Sequence, residues 1–292
     1  MPLVPATSIL QAARAGRYAV GAFNAHNLEF VQGILRAAED LEAPVILQLT
    51  TRAIHYAGLR PLAAMVRAAA QQSQVPVVMH LDQGDYEMSM RCLVAGFTSI
   101  MFNGSALPFS MNVEETHRVA EAAHVMGIPL EGELGHAGGK RQEAPGTPDQ
   151  FTDPDTAQRF VTLTGVDSLA ITVGSVPRML EKTARLDIAR IRALSHATGV
   201  PLVLRHSSGI PDEDLRAAIT NGVAKIAVGT EINQAFSTAL RQAVLKDPDL
   251  IDPRPMLGAG RAAIAEVVRA KIRLFGSAGK AHEVPGSPLP SR

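Results

Sequence analysis

Two carboxylates and a group of cationic or basic side chains stand where short apolar runs end. Asp82 closes the run Val77-Val78-Met79-His80-Leu81, and a carboxylate placed there is costly unless it is partnered or used. Glu133 lies on another strand-like segment, with Glu131 two residues earlier on the same side, so one of the two glutamates would serve only buried polar neighbours. Asp82 and Glu133 are therefore read as general acid/base candidates, with Asp82 the stronger. Arg178, Arg205 and His206 could hold an anion or stabilise a developing negative charge. The catalytic set expected is Asp82, Glu133, Arg205 and His206. A substrate-binding set surrounds it: Asn24, His80, Gln83, Asn103, Gly174, Arg178, Ser208, Gly209, Gly229 and Thr230. The pairs Ser208-Gly209 and Gly229-Thr230 suit a phosphate cradled by backbone amides and a helix start. His26 and His136 are read as loop histidines outside the site. No Schiff-base lysine is expected, because Lys225 is read at the end of its strand opposite the site and Lys140 and Lys182 on loops.

Positioning these residues requires a repeating scaffold. Strand-like runs occur at residues 18–24, 44–50, 75–82, 99–104, 129–135, 168–174, 201–207 and 224–230, four of them introduced by a proline. Helical periodicity fills residues 28–41, 59–72, 113–126, 187–198 and 212–221, the last opened by Pro211 and closed by Gly222. Eight strands alternating with helices predict an α/β chain folded as a (β/α)8 TIM barrel, which keeps its chemistry at the C-terminal ends of the strands. Polar connections at 138–153 and 175–186 open on that face and read as mobile lids. Two further helices, at 231–245 and 256–275, form a C-terminal extension that would reach a neighbouring subunit. Residues 1–275 are expected to form one domain and 276–292 a disordered tail.

Composition narrows the function. Lys plus Arg number 28 and Asp plus Glu 28, and this balance argues against a nucleic-acid or membrane-surface protein. A single cysteine, Cys92, excludes a disulfide framework and a cysteine-built zinc site, and with no leader or long apolar run the cytoplasm is the expected location.

The phrases Tyr18-Ala19-Val20-Gly21-Ala22-Phe23-Asn24, His80-Leu81-Asp82, Leu107-Pro108-Phe109, Glu131 to Gly135 with Gly138-Gly139, Asp167-Ser168-Leu169-Ala170, Pro201-Leu202-Val203-Leu204 and Lys225-Ile226 carry a resemblance. Over nearly its whole length the chain resembles the class II fructose- and tagatose-bisphosphate aldolases. The resemblance implies a barrel enzyme of carbohydrate metabolism in which zinc, bound by three histidines, polarises a ketose carbonyl while an aspartate, here Asp82, moves the hydroxyl proton. The three ligand positions read Gln83, Pro177 and Arg205, and the asparagine and aspartate positions of strands eight and four read Ala227 and Asn103. Lys140-Arg141-Gln142 replaces an acidic loop. Neither proline nor a permanent guanidinium cation binds zinc, so no cofactor is expected. The functional expectation is a metal-independent lyase performing retro-aldol cleavage of a phosphorylated or carboxylated sugar-like substrate, in a homo-oligomer (dimer or tetramer). A metal-free hydrolase using the same site and an anion-binding or regulatory subunit without turnover are the alternatives.

Overall fold

Most of the strands are short, largely aliphatic runs. In the computed structural model, which describes residues 3–135, 151–179 and 181–284, the eight strands close into a parallel barrel in chain order. They are β1 (Val20–Asn24), β2 (Val45–Thr50), β3 (Val77–Gly84), β4 (Ser99–Phe102), β5 (Leu130–Leu134), β6 (Ser168–Ile171), β7 (Leu202–Leu204) and β8 (Val223–Val228). Apolar residues cover both faces of these strands, as they must when helices pack outside and side chains fill the inside. The helices are α1 (Ala6–Gly16), α2 (Leu28–Asp40), α3 (Thr51–Ala57), α4 (Leu59–Gln72), α5 (Tyr86–Val94), α6 (Phe109–Val125), α7 (Pro154–Thr164), α8 (Ile188–Thr198), α9 (Asp212–Thr220), α10 (Thr230–Lys246) and α11 (Pro253–Phe275). Among the described residues, no helix is long and apolar enough to cross a membrane.

Helix starts are set by side chains that accept otherwise orphaned amides. Asn27, Thr50, Asp85, Asp153 and Asp187 cap α2, α3, α5, α7 and α8 by accepting from Phe30, Ala53, Met88, Thr156 and Arg190. The main core lies between sheet and helices, where Phe23, Leu81 and Leu204 meet Ile34, Phe160 and Ile264. A second core lies at the N-terminal end of the barrel. There Ile9, Leu10 and Ala13 of α1 pack with Val20, Ala22, Ile46, Val78 and Ala224 and close the bottom.

Two irregularities in the sheet decide what faces inward above that plug. Between β3 and β4 the register slips between Leu81 and Gly84, and Gln83 within this bulge takes the left-handed φ of 59°. Between β7 and β8 it slips again, with Leu202 opposite Val223 but Val203 opposite Lys225. Ala224 is the extra residue, and it joins the bottom core.

Several expected boundaries move. β7 ends at Leu204, earlier than read, because the chain turns at His206 (φ 58°) into the 3₁₀ turn Ser207–Gly209. The helix expected from 113 begins at Phe109. The tail expected to be disordered from 276 is instead packed as far as Val284: Ser277, Ala281 and Val284 are buried, and the amides of Gly279 and Ala281 bond the carbonyls of Leu41 and Glu42 at 2.8 and 2.9 Å. No periodicity signals this segment, since its partners lie on the turn after α2. Residues 285–292 lie outside the described residues, as do His136, Lys140, Arg141 and most of the first proposed lid. The second expected lid is tied to α9 through Lys182–Asp212 at 2.5 Å and Arg185–Asp214 at 3.2 Å.

Candidate active site

The C-terminal mouth of the barrel holds a cavity of about 1070 Å³. Asp82 and Glu133 sit on its floor, each 4% exposed, with Arg205 between them at 7%. Arg205 Nη1 donates to both Glu133 oxygens at 3.0 Å, and Nη2 makes a longer 3.4 Å bond to Asp82 Oδ1. The Gln83 amide, with its oxygen turned to the guanidinium, accepts from Nη1 at 3.1 Å and Nη2 at 2.7 Å. Asp82 and Gln83 both reach this cation because the β3 bulge presents consecutive residues at the mouth. Burial pushes the Glu133 carboxyl above the usual carboxylate range, and Arg205 only partly offsets this. Arg205 holds its proton more tightly than usual: burial works against the charge, but Asp82, Glu133 and Glu131 outweigh it. His206 also lines the cavity. Burial, then the neighbouring Arg205 charge, pulls its imidazole down to about 4, so it is neutral at pH 7.

Of the expected binding residues, Asn24, Gln83, Asn103, Arg178, Ser208, Gly229 and Thr230 line this cavity. The Ser208 hydroxyl, however, donates to the Met179 carbonyl at 2.7 Å. Three expectations need correction. His80 is 1% exposed and lies below the cavity, because it is one inward-facing position deeper than Asp82 on β3. Gly174 is outside the lining: its φ is +115°, and the Arg185 carbonyl occupies the space a Cβ would take. Gly209 is likewise covered by the Met179 side chain, so both glycines serve close packing.

Sequence reasoning missed the β2 side of the cavity. Gln48 lines it at 3% exposure, donates to Asn24 Oδ1 at 2.9 Å, and leaves its own Oε1 buried without a hydrogen-bond partner. Thr50, Thr51 and Arg52 continue the wall, and their polar run at a strand's C-terminal end was the available signal. His26, set aside as a loop residue, also lines the cavity and meets Asn233 Oδ1 at 3.0 Å.

Directly beneath the floor lies a second charged group. Lys225, 1% exposed, donates to Glu131 Oε2 at 2.7 Å and to His80 Nε2 at 2.8 Å. An ammonium can only donate, so His80 Nε2 is the acceptor and its Nδ1–H donates to Ser99 Oγ at 2.8 Å. Burial, with help from Lys225 and Arg205, holds this imidazole neutral. Lys225 is thus inside the barrel rather than at its far end, as expected from its place early in the strand. It lies two residues below the cavity-lining Ala227 on the same face of β8, so its long side chain rises into the barrel interior.

The residues at the three positions where the resemblance implies zinc ligands do not fit a dication. Pro177 has no side-chain donor, Gln83 turns its oxygen to Arg205, and Arg205 already places a permanent cation between the Asp82 and Glu133 carboxyl groups.

The sequence profile described as "Fructose-bisphosphate aldolase class-II" matches residues 4–280. The fructose-bisphosphate aldolase of Geobacillus stearothermophilus is 41% identical over 285 residues, covering 96% of this chain and 99% of that one. The sulfofructosephosphate aldolase of Alkalicoccus urumqiensis is 38% identical over 286 residues, again covering 96% and 99%. Among solved structures, the YdjI aldolase of Escherichia coli K12 superposes with a TM-score of 0.83 at 33% identity, covering 96% of this chain and 99% of that one.

Proposed function

The chain belongs to the class II fructose-bisphosphate aldolase family, and from that premise we propose that it is a lyase acting without a resident metal on a phosphorylated or carboxylated sugar-like substrate. The observation that carries this reading is the Arg205 guanidinium held between Asp82 and Glu133 on the cavity floor, a fixed positive charge in the layer where the chemistry occurs.

In the proposed reaction, Asp82 takes the proton of a substrate hydroxyl. The carbon bearing that hydroxyl becomes a carbonyl as its bond to the next carbon breaks, and the bonding pair passes into the adjacent ketone to give an enolate. Arg205 stabilises the enolate oxygen through its charge, the role a Lewis acid would otherwise fill. The carbanionic carbon then takes a proton from Glu133, whose raised carboxyl suits it to act as an acid. Asp82 loses its proton to water and Glu133 regains one, so the site returns to its starting state. Neutral His206 orients a substrate hydroxyl. Arg178 and the amides near Ser208, Gly229 and Thr230 hold the anionic end, away from the reacting bond.

The test is an assay of purified protein on ketose mono- and bisphosphates and keto-sugar acids, before and after exhaustive chelation. Cleavage of at least one substrate should survive EDTA within about twofold, because no step draws on a metal's several kcal/mol. Activity abolished by the chelator and restored by zinc would refute metal independence. Absence of turnover on every candidate would favour an anion-binding subunit.

A further inference from the structure

His80 and Asp82 are two residues apart on β3, and so are Glu131 and Glu133 on β5. In each pair the upper residue reaches the cavity and the lower one is sealed beneath it. Lys225 bridges the two lower residues, bonding Glu131 at 2.7 Å and His80 at 2.8 Å, and His80 extends the chain to Ser99 on β4 at 2.8 Å. One ammonium from β8 therefore ties β5 to β3 directly below the carboxylates that those strands present. Two residues of strand span only about 6.6 Å of hydrogen-bonded backbone, so a shift of either lower side chain reaches the residue above it.

As a mere filler, this arrangement is poor. A buried ion pair carries a desolvation penalty that apolar residues of similar volume avoid, and Glu131 Oε1 is left without a hydrogen-bond partner. Its charge is also felt above, where it adds to the upward push on Glu133 and to the hold of Arg205 on its proton. We propose that Lys225 is a positioning residue: by clamping His80 and Glu131 it sets the spacing of Asp82 and Glu133, and hence the place of the Arg205 guanidinium between them. The proposal rests on the reading of those three residues as the reacting layer.

The test compares wild type with the double variant Lys225→Met/Glu131→Gln, which leaves no orphaned buried charge, and with the milder Ser99→Ala. Two readouts are taken on the full chain: cleavage of fructose 1,6-bisphosphate as a probe, and carboxyl ¹³C titration, with Glu133 assigned by its loss in Glu133→Gln. The groups facing Glu133 are Arg205, Asp82 and Glu131. In the double variant kcat should fall about 10- to 100-fold with KM within about threefold, and the Glu133 midpoint should move down as the Glu131 charge is removed. Ser99→Ala should lower kcat by about threefold with KM unchanged, through a loosened His80. A folded double variant with wild-type kcat and an unmoved midpoint would overturn the proposal. If the double variant does not fold, Ser99→Ala decides: unchanged kcat counts against the clamp. If wild type does not cleave the probe, the proposed function fails for that substrate. The kcat comparison is then made on whichever ketose phosphate or keto-sugar acid the wild type cleaves.

Discussion

The two charged layers inside the barrel use the same kinds of residue and differ in what surrounds them. In the upper layer one guanidinium faces acceptors from Asp82, Gln83 and Glu133, and all four residues line the cavity. In the lower layer one ammonium faces a single carboxylate and a neutral imidazole, every member is at most 2% exposed, and one Glu131 oxygen has no hydrogen-bond partner. Depth along the strand separates them, because neighbouring inward positions differ by a single barrel level. A cation surrounded by acceptors and open to the cavity can meet substrate charge, whereas a cation closed off with one counter-charge can only hold its neighbours in place.

Arg205→Met would break this comparison most severely. It removes the only cation bonded to the buried Asp82 and Glu133 carboxyl groups among the described residues, so stability at neutral pH should fall by about 3–5 kcal/mol in denaturant titrations, with cleavage lost. A variant as stable as wild type would show that the upper layer does not depend on its cation. Asp82→Asn should keep the fold and reduce kcat by about 10²–10⁴-fold while sparing phosphate binding measured by calorimetry. Near-normal turnover would move the base to Glu133 or His206.

The smallest expected effect is the pH dependence tied to His206. Its imidazole titrates near 6.5 when unfolded but about 4 when folded, so between these values the unfolded chain binds more protons. The His206 contribution is therefore intact above pH 6.5 and lost as pH falls toward about 4. His206→Asn, which tolerates the left-handed backbone there, should flatten that part of the stability–pH curve. An unchanged slope would mean that His206 is not the half-buried neutral imidazole described.

Much of the scaffold is legible in the sequence because it is periodic. Proline-led aliphatic runs separated by helical repeats suffice to count the strands and place their C-terminal ends, and a carboxylate ending an apolar run marks Asp82 without knowledge of any neighbour. The residue types at Gln83, Pro177 and Arg205 likewise state their own donor chemistry. The β2 wall around Gln48 and Arg52 was harder to see, since amides, threonines and a rim arginine look like ordinary strand-end polarity until a cavity is found beside them.

By itself, then, the sequence determined the repeat and the residue types at its strand ends. Tertiary structure alone decided which side chains meet. Arg205 and Asp82 are 123 positions apart and Lys225 and His80 are 145 apart, so no local pattern records either contact. The bulge at Gln83 breaks the two-residue alternation from which facing is inferred, and this is why Gln83 reaches the guanidinium beside Asp82. Alternation gives the face of a residue only where register is unbroken, and depth inside a barrel depends on how eight strands are staggered against one another.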